Sequence, residues 1–265
     1  VDMGMVLTAL KHDLLEKIDY SQFDKKLHEQ VVKGTFTPYA AGTMFFSTVM
    51  AYRTDVFPDE HPRTWAEFWD VKRFPGPRCL MSGVGTGPDL EFAVLAAGVP
   101  IDKIYPIDLD LAFKMFTKIR PYVVKWWDSG AIPPQLLVDK EVVLTSSYHG
   151  RIIKIMDEGA PVAIEWNQGE LTGEYWSILK GTKNYKSALK FIEFATQARN
   201  QANFVKYYAA GPVNQKAFDF ISPERARTLC TAPENVKGQF VRNGKWWGEN
   251  RERVTEAWHE WAVQD

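Results

Sequence analysis

The sequence is poor in the features that mark several protein classes. Its 265 residues hold two cysteines, Cys79 and Cys230, far apart along the chain. There is no disulfide framework and no Cys-x-x-Cys pair, and the two thiols are compatible with one disulfide or with two free buried groups. The five histidines are His12, His28, His61, His149 and His259, and no two of them stand at metal-binding spacing. A metal site is not expected. No apolar run approaches the roughly 18 residues of a membrane-spanning helix; the longest candidates are broken by charge, as in Leu111-Ala112-Phe113-Lys114. A formal net charge of -1 leaves no basic surplus, which argues against a nucleic-acid partner. No leader peptide is visible. The opening Val1-Asp2-Met3-Gly4-Met5 reads as the end of a strand, so the numbering is expected to begin inside a longer precursor, and the missing leader says nothing about export.

Catalytic motifs are absent as well. Gly83-Val84-Gly85-Thr86-Gly87 lies between a predicted strand and helix, but Pro88 stands where a dinucleotide fingerprint needs glycine, and no Gly-Lys-Ser/Thr completes a Walker loop. The loop keeps the free N–H groups of a helix N-terminus, which suit an anion or a polar ligand group, Thr86 among them; a plain tight turn is the alternative. No Gly-x-Ser-x-Gly elbow occurs. Ser147 and His149 are i,i+2 neighbours, a spacing that does not by itself share a proton path. No cofactor is predicted.

What is present is aromatic and polar. Hydrophobic residues make up 45% and charged residues 25%, which is ordinary for a globular chain with a large core in one large or two medium domains. Aromatics reach 14% with 10 tryptophans; they serve either as extra core or as walls for a cation or flat ligand. The stretch from Trp126 to Asn184 alternates aromatics, small hydroxyls and carboxylates. It includes Trp126-Trp127-Asp128-Ser129-Gly130, Ser147-Tyr148-His149-Gly150-Arg151 and Glu174-Tyr175-Trp176.

Periodicity predicts helices over 7–17, 88–97, 107–119, 133–138, 150–157, 186–196, 201–208, 223–229 and 251–263. Strands are predicted over 38–52 (one or two), 78–81, 123–127, 142–146, 162–166 and 175–179. Thr64 with Glu67 forms a capping-box pattern. Strands alternating with helices indicate an α/β protein with mainly parallel sheets, in which ligands bind beyond the carboxyl ends of the strands. Tyr148, between a strand and a helix, fits that place, with a sheet-edge core aromatic as the alternative. Arg151 in the first helical turn opposes the helix dipole and calls for an anionic partner, a salt bridge or a ligand carboxylate. Glu174 beside Tyr175 and Trp176 reads either as a cation receptor or as a solvated turn residue.

These segments, with Pro133-Pro134-Gln135-Leu136-Leu137, Glu165-Trp166-Asn167-Gln168-Gly169 and Gly211-Pro212-Val213-Asn214, resemble the extracellular solute-binding proteins of ABC importers, in the spermidine/putrescine-binding group of type II periplasmic binding proteins. The resemblance covers nearly the whole chain and rests on the order and spacing of the segments together. It implies a two-lobed α/β fold with hinge crossovers and a ligand held between the lobes. It places lobe one at residues 1–47 and 174–217 and lobe two at 48–173 and 218–265, with the first lobe N-terminally incomplete.

The resemblance also implies ligand contacts at Asp2, Ser129, Tyr148, Glu174 and Trp247, with no clear match for a late aromatic near Ala210. Polyamine binders of this group carry an acidic pair in lobe two, whereas Gly83 to Pro88 holds no acid. A GABA-like amino acid therefore fits as well as a polyamine, its carboxylate at the 83–87 loop or Arg151. The expected protein is a periplasmic, non-enzymatic, monomeric receptor that docks on membrane permease subunits. A small-metabolite enzyme, for which only His149 would serve as base, and a sensory module are the alternatives.

Overall fold

The structure, a computed structural model, describes residues 1–85 and 87–264. The elements in chain order are α1 (Met3–Lys11), β1 (Leu15–Glu16), α2 (Lys25–Gln30), β2 (Phe36–Thr37), β3 (Ala40–Arg53), α3 (Trp65–Trp69), β4 (Arg78–Met81), α4 (Leu90–Ala96), α5 (Leu109–Ile119), β5 (Val123–Trp127), α6 (Ile132–Val138), β6 (Leu144–Tyr148), α7 (His149–Asp157), β7 (Val162–Trp176), β8 (Ile178–Leu179), α8 (Tyr185–Thr196), α9 (Ala198–Tyr207), β9 (Gly211–Pro212), α10 (Pro223–Arg227), α11 (Pro233–Val236), β10 (Phe240–Val241) and α12 (Gly244–Ala262). Among the described residues no helix is long and apolar enough to cross a membrane.

Several expected boundaries move, each for a local reason. The opening residues begin a helix rather than end a strand, because the Asp2 carboxylate caps α1 by accepting from the Met5 N–H. That helix stops at Lys11, short of the expected Lys17: Asp13 takes a left-handed φ of 53°, and Leu15 and Glu16 then pair with Leu179 and Ile178. The strands expected at 162–166 and 175–179 belong to β7, which continues through Trp176, and to β8. The last helix starts at Gly244, before the expected Arg251. At Thr64 half of the capping box forms: Thr64 Oγ1 accepts from the Glu67 N–H, while the Glu67 carboxylate accepts from the Arg63 N–H, one residue before the N-cap.

A mixed sheet has the order β10-β7-β3-β6-β4-β5, and β2 and β9 also pair with β3. The chain packs into two compact units: Val1–Phe46, Leu171–Val236 and Arg242–Glu249 in the first, Ser47–Glu170, Lys237–Val241 and Asn250–Asp265 in the second. The expected division differs from these units over 218–236 and 242–249, which fall in the first, and by a few residues at 47 and 171–173. Arg225 Nε donates to the Val205 carbonyl at 3.0 Å, and a Cβ at Gly244 would stand 2.8 Å from that of Met3, so α12 opens against the start of α1.

The first unit is built on Ile18, Phe23, Leu27, Val31, Ala41, Ile178, Leu189 and Ile192, all buried. In the second, β4 runs parallel to both β5 and β6, and β3 is antiparallel to β6. One cluster there holds Cys79, Met81, Trp127, Leu137, Val142 and Ile152. Elsewhere in that unit Trp258 and Trp261 of α12 pack against Trp126 and Phe116. Most tryptophans serve as core: Trp65, Trp69, Trp127, Trp246, Trp247, Trp258 and Trp261 are buried. Cys79 and Cys230 are both buried and are not joined in a disulfide; the Cys230 thiol donates to the Phe45 carbonyl at 3.4 Å.

Candidate functional site

In the second unit the parallel strands β4, β5 and β6 end together, with Met81 beside Trp127 and Cys79 beside Thr145. The turns that follow these strands gather the loop from Ser82, the turn Asp128-Ser129-Gly130 and the Tyr148–His149 junction at one sheet edge, where open α/β sheets bind ligands. Tyr148 ends β6 and precedes α7 as its N-cap, without a side-chain cap bond. Its half-buried ring stands edge-on to Trp127, at 5.3 Å between centroids and 81°, and lies over Gly130. Ser129 is exposed in the same turn. Arg151 is exposed in the first turn of α7 and has no ion pair among the described residues. Thr86 lies outside the described residues.

Beneath this edge is a buried polar relay. Asp89, 3% exposed, accepts from the Met81 N–H at 2.7 Å and from Ser146 Oγ at 2.5 Å, and Ser146 accepts from Trp127 Nε1 at 3.2 Å. Charge-assisted bonds of this kind fix Trp127, and through it the wall that Tyr148 leans on.

His149, the one base an enzymatic reading would use, is fully buried. Its Nδ1 lies 3.0 Å from the Ser47 backbone nitrogen and 3.3 Å from the Ser47 carbonyl, so that ring atom is engaged by the main chain.

In the first unit three sequence-predicted positions come together. Asp2 forms an isolated antiparallel bridge with Glu174, reinforced by hydrogen bonds between Val1 and Tyr175. A Cβ at Gly4 would lie 3.0 Å from Asp2 Oδ1 and 3.1 Å from Trp247 Cβ, so Asp2 and Trp247 flank the same glycine. One Asp2 oxygen is committed to the α1 cap. Trp247 is fully buried, with the Arg242 guanidinium 4.0 Å above its ring. Its visible work is packing beneath Arg242, which sequence reasoning did not single out. No motif marked it; only the fold stacks it on a tryptophan five residues on. Glu174 is half-buried.

Glu174 also lines a cavity of about 370 Å³, walled by Met44, Trp176, Phe194, Phe204 and Pro212 among others. These walls are mainly apolar, with Thr43, Asn200 and Gln201 as polar members, and they include Ala210, where the resemblance found no match for a late aromatic.

Residues 2–228 match the family of bacterial extracellular solute-binding proteins. The chain belongs to that family. It is 33% identical to the gamma-aminobutyric acid-binding protein of Pseudomonas aeruginosa over 269 aligned residues, covering all of this chain and 75% of the relative. Among solved structures it is similar to an ABC transporter substrate-binding protein from Bradyrhizobium japonicum, at 37% identity and a TM-score of 0.90, covering 99% of this chain and 81% of that one. The Atu4243-GABA receptor is 31% identical with a TM-score of 0.88, covering 100% and 80%. The family resemblance and the two-lobed α/β fold it implies are thereby established. The relatives are solute-binding proteins rather than enzymes. As an extracellular solute-binding protein the chain acts in the periplasm, the location the resemblance implied.

Proposed function

We propose that this solute-binding protein is the receptor of an ABC importer and captures a small amine-bearing solute, a GABA-like amino acid before a polyamine. It works as a monomer, without catalysis, and delivers its ligand to permease subunits at the membrane. The observation that carries the choice of ligand is Arg151, an exposed cation without an ion pair among the described residues, three positions from Tyr148. A diamine has no use for it; an amino acid's carboxylate does. The two GABA-binding relatives support the same choice.

In this reading Glu174 takes the ammonium group, with Asp2 adding negative potential beside it. The Tyr148 ring stacks on the methylene chain and faces the cation, a contact worth about 0.5–2 kcal/mol. Ser129 and Thr86 supply hydroxyls, and Trp247 supports the start of α12. Calorimetry with GABA, putrescine and spermidine tests the proposal. GABA is expected to bind at micromolar affinity or better, about -8 kcal/mol. Arg151→Ala should weaken GABA by about tenfold or more while leaving putrescine unchanged. Glu174→Ala should weaken both. Tight spermidine binding without a GABA response would sink the proposal, as would unchanged affinity in both Glu174→Ala and Tyr148→Ala.

A further inference from the structure

Gly130 carries no functional group, yet its lack of one shapes the sheet edge. A Cβ built on it would fall 2.6 Å from Cδ2 and 2.9 Å from Cε2 of Tyr148. These atoms belong to a rigid ring, which yields only by turning as a whole about χ1 or χ2. The backbone gives no other reason for glycine here, because Gly130 is not among the residues with positive φ. The glycine is required by space alone.

The ring also stands edge-on to Trp127, whose indole is tied by its N–H to Ser146 and through Ser146 to Asp89. Tyr148 thus packs against a braced indole and against a residue with no side chain. Its position is set by what the Asp128-Ser129-Gly130 turn omits.

We infer that Gly130 is a specificity-determining position: it sets where the Tyr148 ring lies and so which ligand lengths the ring can stack on. The inference rests on the reading of Tyr148 as a ligand contact. Gly130 touches no ligand in this account and acts only through the ring. Any side chain at 130 pushes the ring out of its seat, and because Tyr148 is only half-buried the ring can turn toward solvent without unfolding the strand.

Calorimetry on four proteins tests this: the parent, Gly130→Ala, Tyr148→Ala and the double variant, each titrated with GABA, 5-aminopentanoate and putrescine. Gly130→Ala is expected to weaken GABA by about tenfold and to change the ratio of GABA to 5-aminopentanoate affinity, with little change in Tm. In the Tyr148→Ala background the Gly130→Ala change should have no further effect, since the ring it displaces is gone. The near-UV circular dichroism of the Trp127–Tyr148 pair should change in Gly130→Ala.

If Tyr148→Ala leaves all three affinities intact, the ligand role of Tyr148 falls and this inference with it. If Tyr148→Ala weakens binding and Gly130→Ala does not, only the inference falls. An equal loss from Gly130→Ala in both backgrounds also overturns it, because the glycine then acts without the ring. Should Gly130→Ala fail to fold, Tyr148→Trp, which enlarges the ring against the same glycine, takes its place: a changed affinity ratio supports the inference and an unchanged one overturns it.

Discussion

Single residues here work as often by size as by chemistry. Gly83 is the second such case after Gly130: a Cβ on it would lie 2.0 Å from Cγ of Trp258, inside the indole itself. Trp258 is 6% exposed and packs on Trp126 and Phe116, so it has no free direction in which to yield. Gly83→Ala is therefore an overpacking change, expected to cost about 1–3 kcal/mol or more. Urea denaturation followed by tryptophan fluorescence measures it; a midpoint equal to the parent's would show that α12 is not seated as described. The glycine-rich loop invited a phosphate-type or anion-binding reading, but at Gly83 the observed reason for glycine is the indole pressed against it.

At the scale of elements, α1 shows how a residue with a structural task and one with a binding task are separated experimentally. Asp2 caps the helix through Oδ1 at 2.9 Å from the Met5 nitrogen and is bridged to Glu174. Asn caps as well as Asp, whereas Ala does not. Asp2→Ala should lower stability by about 1 kcal/mol, while Asp2→Asn should leave the melting curve in place. If the Asp2 carboxylate contributes to amine binding, Asp2→Asn still lowers GABA affinity in calorimetry at unchanged stability. An Asp2→Asn protein that binds like the parent would assign Asp2 to capping alone. The legibility of elements followed the same division. The strand over 123–127 was readable to the residue because its ends are marked by Pro121 before it and Asp128-Ser129-Gly130 after it. The helix expected over 7–17 stops early: Leu14, Leu15 and Ile18 keep helical spacing, but Leu14 is exposed, and the burial of Leu15 and Ile18 comes from pairing with β8 and packing against α8, elements far along the chain.

For the whole molecule, the two buried thiols report on integrity. Burial pushes the Cys79 thiol up to about 12 from an ordinary 9.0. The native state then keeps its proton to higher pH than the unfolded chain does. Stability from this group is intact below pH 9 and declines as pH rises from there towards 12, by up to about 1.4 kcal/mol per pH unit. Tyr20, Tyr52 and Tyr175, all raised by burial, act in the same direction at higher pH. Urea midpoints measured from pH 8 to pH 10.5 should fall, and Cys79→Ala should flatten the slope; an equal slope in the variant would assign the effect to the tyrosines alone. Neither thiol should react with a thiol reagent until denaturant is added.

The sequence by itself determined the class of this protein. Alternating strand and helix patterns, and the ordered set of aromatic, hydroxyl and Gly-Pro segments, are local properties of the chain, and they led to an α/β solute-binding protein before any contact was known. The tertiary structure decided what each candidate residue does. It buried Trp247 beneath Arg242, enclosed His149 against the Ser47 backbone, left Arg151 exposed, and set the Tyr148 ring over Gly130. These outcomes depend on which distant residues share a surface, and one-dimensional spacing does not encode that. A side chain's periodicity tells which way it points from its own strand or helix, while its burial, its partners and its freedom to meet a ligand come from the elements that pack against it.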